Sequence, residues 1–152
     1  MDAFSASLMA DKREIVFAPT VYKFQTFAQM AEEFKLGERD VVLTNEFIYT
    51  PFMKELGLKC SFVFQEKFGA GEPSEAMIQT MYDAIPYDSY DRVIAVGGGA
   101  IMDLCKLLGC KRPDTVHNLY FKRFPVVHEK DVIAIPTTCG TGSECTNISV
   151  AI

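Results

Sequence analysis

Val93-Ile94-Ala95-Val96-Gly97-Gly98-Gly99-Ala100-Ile101-Met102-Asp103-Leu104-Cys105-Lys106 reads as an apolar strand running into three glycines and then into a helix. Ile101, Leu104, Cys105 and Leu108 recur at helical spacing and predict a face packed on a sheet. Glycine has a physical purpose at such a turn. Without a Cβ, the backbone can approach a diphosphate closely and can take positive φ. The following helix offers unpaired N–H groups and the positive end of its dipole, which together attract anions. In a doubly wound sheet this turn lies at the carboxyl edge, where ligands bind. The pattern is neither Gly-x-Gly-x-x-Gly nor a P-loop, since Gly-Lys-Ser/Thr is missing. Taken alone, three glycines are also compatible with a plain tight turn.

Asp103 falls in the first turns of that helix. Its structural role is a dipole interaction worth about 0.3–1 kcal/mol. The alternative, functional reading is an acceptor of a hydrogen bond from a cofactor hydroxyl or amide. A carboxylate repels a diphosphate, so it must face another part of the ligand. Lys106, three residues on, is spaced to pair with Asp103 along the helix.

A second segment, Ile133-Ala134-Ile135-Pro136-Thr137-Thr138-Cys139-Gly140-Thr141-Gly142-Ser143-Glu144-Cys145-Thr146, also begins at the end of an apolar strand. Pro136 stops the ladder. Four hydroxyl residues and two glycines then fall within positions 137–143. Small hydroxyls beside permissive glycines form a loop that wraps a polar ligand with short hydrogen bonds. The plain alternative is a generic Ser/Thr/Gly turn. Two such loops after two strands should emerge on one sheet edge.

Outward from these segments, short β-branched runs alternate with helix-period runs, the mark of an α/β fold with a parallel sheet and crossover helices. Ile15–Phe17 and Val21-Tyr22 suggest a small N-terminal β-hairpin around Pro19. Gln25 to Phe34 predicts a helix with Phe24, Phe27, Ala28, Ala31 and Phe34 on one face, ended by Gly37. Val41 to Thr44 is a strand. Thr50-Pro51 reads as the start of a short helix that Gly57 stops. Ser61 to Phe64 is a strand. Ser74 caps a helix whose buried stripe is Met77, Ile78, Met81 and Ile85. Arg92 to Val96 is the strand of the glycine turn, and the helix after it runs to Gly109. Lys111 to Lys130 reads as irregular, Val132 to Ile135 as a strand, and Asn147 to Ile152 as a further one.

The chain has 152 residues, with 49% hydrophobic and 23% charged, an ordinary globular composition with one domain's worth of core. A net charge of −5 and the absence of a basic cluster argue against a nucleic-acid partner. Five cysteines without a Cys-x-x-Cys pair read as reduced thiols. The Cys105/Cys110 and Cys139/Cys145 spacings, with only His117 and His128 to help, do not make a zinc site. No signal peptide or membrane-length apolar run is present, which points to a soluble cytoplasmic protein without a membrane partner. The chain stops on Ile148-Ser149-Val150-Ala151-Ile152, strand-like with nothing after it, and so reads as truncated.

Gly97-Gly98-Gly99-Ala100-x-x-Asp103-x-x-Lys106 resembles the Gly-Gly-Gly-Ser-x-x-Asp-x-x-Lys motif of the iron-containing (group III) alcohol dehydrogenases. Pro136-Thr137-Thr138-Cys139-Gly140-Thr141-Gly142-Ser143-Glu144 resembles that family's Pro-Thr-Thr-x-Gly-Thr-Gly-Ser-Glu. The resemblance spans nearly the whole chain but only the family's amino-terminal domain. The first hundred residues are most similar in texture to the 4-hydroxybutyrate dehydrogenase branch. The resemblance implies that residues 1–152 form a Rossmann-like domain binding NAD, or NADP, ahead of a helical domain that is absent here. That helical domain holds a divalent metal, iron or zinc, through an aspartate and histidines, and the metal polarises an alcohol oxygen for hydride transfer. It implies a small alcohol or aldehyde substrate and a homo-oligomer, a dimer. His117 and His128 precede the second motif and are not assigned to the metal.

Carried over by position, Gly98, Gly99 and Ala100 contact the diphosphate, and Asp103 lies near the nicotinamide end. Thr137, Thr138 and Thr141 line the adenosine and diphosphate side. Asn45 stands where many members have an aspartate facing the adenosine ribose. Ala100 replaces a serine and removes a hydroxyl donor to phosphate. Asn45 replaces an acid that repels a 2′-phosphate, so NAD is expected as the main cofactor with weakened discrimination against NADP. Dehydroquinate-synthase-like lyases and glycerol or glycerol-phosphate dehydrogenases share the Gly-Gly-Gly-x-x-x-Asp turn, but the second loop favours the alcohol dehydrogenase branch. A non-catalytic nucleotide-binding module is the other reading. These residues alone are expected to be inactive, which an alcohol oxidation assay on them checks, and to self-associate through exposed apolar surface, which light scattering checks.

Overall fold

The computed structural model describes residues 19–69, 71–121, 123–146 and 148–150. Four strands form one parallel sheet: β1 (Asp40–Thr44), β2 (Ser61–Phe64), β3 (Arg92–Gly97) and β4 (Asp131–Pro136). Their spatial order is β2-β1-β3-β4. Val41 pairs with Ser61 on one side and Val93 on the other, and Arg92 pairs with Asp131. The chain moves outward from β1 to β2 and then returns past β1 to β3. The carboxyl ends of β1 and β3 therefore flank the point where strand order reverses, which in open α/β sheets opens a crevice for ligand.

Alternation along the strands sends side chains to two separate cores. Val41, Leu43, Val93 and Ala95 face one layer, with α3 (Glu75–Ala84), α4 (Gly99–Leu108) and the short α5 (Val116–Tyr120). Val42, Ile94 and Val96 face the other, with Met30 of α1 (Phe27–Glu33) and Ile48 of α2 (Glu46–Phe52). Both faces of the two central strands are covered, which explains their near-continuous apolar sequences. The expected face of α4 is buried in full, and Met102 and Leu107 join it. The expected stripe of α3 is buried with Tyr82 added, and the Ser74 hydroxyl caps the helix by accepting from Met77 N–H at 3.2 Å. At the amino end of the sheet, the buried Asp40 carboxylate accepts from Arg92 Nε at 2.7 Å and Nη2 at 2.9 Å, and from Gly37 N–H at 2.7 Å. No helix among the described residues is long and apolar enough to cross a membrane.

Several local expectations are corrected. The second arm of the supposed N-terminal hairpin, Val21-Tyr22, carries no strand, and the first arm lies outside the described residues. Helix α2 starts at Glu46 behind Asn45, so Pro51 lies inside its last turn. Pro51 has no N–H to donate to the Phe47 carbonyl, so this seven-residue helix gives up one i→i−4 bond there. The 111–130 stretch contains α5, capped by the Thr115 side chain. Residues 148–150 form no strand, while Asn147, Ala151 and Ile152 lie outside the described residues.

Gly97, the last residue of β3, sits so close to α4 that a Cβ there would lie 2.7 Å from Ile101 Cδ1, 3.0 Å from its Cβ and 3.1 Å from its Cγ1. Two of these atoms are at the root of a buried, χ1-restricted side chain, which cannot swing away. Gly97→Ala is therefore expected to destabilise the fold by about 1–3 kcal/mol in equilibrium urea unfolding, and its added cost should be smaller when it is introduced into an Ile101→Ala background, as a double-mutant cycle reads. Burial also raises the thiol pKa of Cys60 to about 11 and shifts those of Cys105 and Cys110 upward, while Cys139 and Cys145 are exposed. Thiol labelling at pH 8 with peptide mapping should modify Cys139 and Cys145 rapidly and the other three only on unfolding; early labelling of Cys105 would contradict this packing.

Candidate functional site

The carboxyl ends of β1, β3 and β4 open onto a cleft of about 1320 Å³. Each strand delivers one part of its lining. Beyond β1 stands Asn45. Thr44, fully buried, donates its hydroxyl to the Val96 carbonyl at 2.9 Å and so ties the end of β1 to β3 just ahead of the glycines. Beyond β3 come Gly98, Gly99 and Ala100, and beyond β4 come Thr137 and Thr138, all on the cleft wall. The two loops expected to share an edge do share it.

Their union is direct. Thr137 N–H donates to the Gly97 carbonyl at 3.0 Å, carrying the β3–β4 ladder one bond past Pro136. A Cβ on Gly98 would stand 3.5 Å from Thr138 Oγ1, and one on Gly99 would stand 3.0 Å from Thr141 Cγ2. The second loop thus packs on the glycine turn. The loop turns at Gly140 (φ 134°) and Gly142 (φ 61°), both in the left-handed half of backbone space that side-chain-bearing residues resist.

Gly98 precedes α4 as its cap residue and brings no side-chain hydrogen bond to the helix. The first intrahelical bond is Met102 N–H to the Gly98 carbonyl, so the N–H groups of Gly99, Ala100 and Ile101 have no i−4 carbonyl within the helix. These residues line the cleft. Uncapped donors at the positive end of a ten-residue helix make an anion-binding surface. The opposite wall is apolar, with Ile48, Phe52, Met53 and Leu56 alongside Phe47, a surface suited to a flat ring. The residues present therefore fit a dinucleotide: donors for phosphate at the glycine turn, hydroxyls at the second loop and an apolar wall beyond Asn45.

Six of the eight sequence-predicted residues line this cleft: Asn45, Gly98, Gly99, Ala100, Thr137 and Thr138. Thr141 is not on the wall and packs behind it against Gly99. Asp103 also lies off the wall. Its Oδ1 accepts from Lys106 Nζ at 3.1 Å, the pairing that the spacing predicts, and from Ser143 Oγ at 2.5 Å, while Oδ2 accepts from Val150 N–H at 3.1 Å. Lys106 Nζ also donates to Ser143 Oγ and to the Ile148 carbonyl, both at 2.6 Å. Asp103 and Lys106 thus fasten the far end of the second loop to α4.

Glu66 escaped the sequence reading. It follows β2, and its Oε1 accepts from Asn45 Nδ2 and from Glu46 N–H, each at 3.1 Å. Asn45 itself makes no side-chain cap bond, so Glu66 caps α2 from another strand. The signal available in sequence was an acid just past a parallel strand next to β1, but nothing local revealed that pairing. Among the described residues no three His, Cys, Asp or Glu side chains converge to hold a metal ion.

Comparison with known proteins agrees with this architecture. The family model described as iron-containing alcohol dehydrogenase matches residues 18–152. Over 134 residues, 88% of this chain and 36% of the relative, the sequence is 48% identical to 4-hydroxybutyrate dehydrogenase from Clostridium kluyveri. The iron-containing alcohol dehydrogenase of Thermotoga maritima superposes with a TM-score of 0.58 at 26% identity, covering 79% of this chain and 35% of that one. A sulfoacetaldehyde reductase from Bifidobacterium kashiwanohense, solved in complex with NAD+, shares the fold with a TM-score of 0.61 at 24% identity, covering 79% of this chain and 33% of that one. The chain spans about a third of the length of these relatives. With the family model matched over nearly its full length, the chain belongs to the iron-containing alcohol dehydrogenase family.

Proposed function

We propose that these residues bind the nicotinamide dinucleotide of an NAD-dependent alcohol dehydrogenase. We further propose that the full-length protein moves hydride between a small primary alcohol, of the 4-hydroxybutyrate type, and NAD. The observation that carries the reading is the shared cleft: the glycine turn after β3 and the hydroxyl-rich loop after β4 meet at the edge where strand order reverses. The choice of substrate class rests on the 48% identity to the Clostridium kluyveri dehydrogenase.

When bound, the dinucleotide supplies the hydride acceptor, and the chemistry of that acceptor is the cofactor's own. The residues described here bind and orient. The free N–H groups of Gly99, Ala100 and Ile101 receive the diphosphate without the serine hydroxyl common at position 100 in the family. Thr137 and Thr138 supply hydroxyls from the second loop. Asn45 meets the adenosine ribose. Thr141 supports the wall from behind. Asp103 orders the second loop through Ser143 and meets the nicotinamide side only from behind that wall, a more indirect part than the sequence implies. A divalent metal, iron or zinc, belongs to residues beyond those described, and the alcohol is held there.

The direct test is steady-state assay of the full-length protein with 4-hydroxybutyrate and NAD. NADH formation is expected, and absence of turnover with this and other small primary alcohols would reject the proposal. Removing one loop hydroxyl by Thr138→Val should raise the Kd for NADH by about 3–10-fold, the value of a single hydrogen bond, with unfolding stability little changed. Calorimetric titration of the full-length variant reads this directly.

A further inference from the structure

Position 45 carries an amide where an acid would repel a 2′-phosphate, and on the sequence alone this weakens discrimination between NAD and NADP. The structure assigns the missing charge to Glu66. We infer that Glu66, which stands in the turn after β2 behind the cleft wall and is bonded to Asn45 on that wall, is the specificity-determining acid of this dinucleotide cleft and excludes NADP. The inference rests on the dinucleotide reading above and adds to it a residue on a different strand.

Four observations place the charge. First, β1 and β2 are parallel and in register, with Thr44 opposite Phe64, so residues 45–46 and 65–66 leave the sheet side by side at one edge. Second, Glu66 Oε1 is held by Asn45 Nδ2 and Glu46 N–H, both at 3.1 Å, so the carboxylate is fixed beside the one β1-end side chain on the cleft wall. Third, no cation among the described residues is paired with it, and the adjacent Lys67 ammonium sits over the Phe64 ring, 5.3 Å from its centre. Fourth, Glu46 adds a second acidic residue in the first turn of α2, next to Asn45 in the chain.

The orientation of the ligand follows from the chemistry of the walls. The diphosphate belongs at the uncapped start of α4, and one nucleoside then extends across β1 toward Asn45 and the apolar wall of α2. Its ribose lies at Asn45. A 2′-hydroxyl can be hydrogen-bonded there by amide and carboxylate together. A 2′-phosphate would bring about two negative charges against a carboxylate already committed to an amide donor and a helix start. The Asn45–Glu66 pair thus performs on two strands what a single acid performs on one.

The test uses the full-length protein, with Kd measured for NADH and NADPH. Glu66→Gln keeps an oxygen to accept from Asn45 and Glu46 and removes only the charge. The ratio of the NADPH Kd to the NADH Kd is expected to fall at least fivefold. The exchange variant Asn45→Asp/Glu66→Gln returns the charge one side chain away and keeps an amide–carboxylate bond, so the ratio should rise back toward that of the parent. A ratio within twofold of the parent in Glu66→Gln would overturn the inference. So would a fall in Glu66→Gln that the exchange variant fails to reverse, because the effect would then be structural. If the parent binds neither dinucleotide, the dinucleotide reading itself fails and takes this inference with it; a parent that binds NADH with an unaltered ratio in the variant sinks the Glu66 assignment alone.

Discussion

A single backbone hydrogen bond, from Thr137 N–H to the Gly97 carbonyl, sits where the glycine turn and the hydroxyl-rich loop meet. It joins the last residue of β3 to the first residue past β4, and so brings the glycine turn and the hydroxyl loop together by continuing the sheet rather than by side-chain contact. The constraint is steric as well. A Cβ at Gly97 would collide with Ile101 of α4 and one at Gly99 would press on Thr141 of the second loop, whereas one at Gly98 would make only ordinary contact with Thr138. Glycine at this turn serves two needs at once: it lets α4 pack down on β3, and it leaves the first N–H groups of α4 bare.

The same arrangement explains the division of labour around α4. Its start is left without a side-chain cap and faces the cleft. Its middle grips the second loop through Asp103, Lys106 and Ser143, the last of which is buried. One helix therefore presents its uncapped N–H groups to the cleft and also fixes the position of the loop packed against it. A preorganised pair of loops spends little of its binding energy on ordering.

The fold was legible wherever the period of the pattern coincided with the packing it produced. The strands at 41–44, 61–64 and 92–96 and the stripe of α3 carry apolar residues at spacings that admit one interpretation, and they form as read. Misreadings came where local propensity and context compete. Thr50-Pro51 carries the chemistry of a helix start, yet α2 begins earlier because Glu66 caps it from outside, a contact no local rule sees. The site divided in the same way. Glycines and hydroxyls on the two loops are written in nearly consecutive residues, and Gly98, Gly99, Thr137 and Thr138 line the cleft while Thr141 packs behind Gly99. Asp103 is written in the same motif, and its spacing gave the pairing with Lys106, but its contacts with Ser143 and Val150 emerged only from tertiary structure. Glu66, twenty-one residues from its partner, became visible only through strand pairing.

The account stands or falls on whether one dinucleotide occupies the cleft between these two loops. Amide hydrogen exchange on the full-length protein, with and without saturating NADH, tests this residue by residue. Slowed exchange is expected together at residues 98–102, 137–142 and 45–48, and little change is expected in α3, none of whose residues lines the cleft. Protection confined to one loop, or lying elsewhere in the molecule, would contradict the shared site.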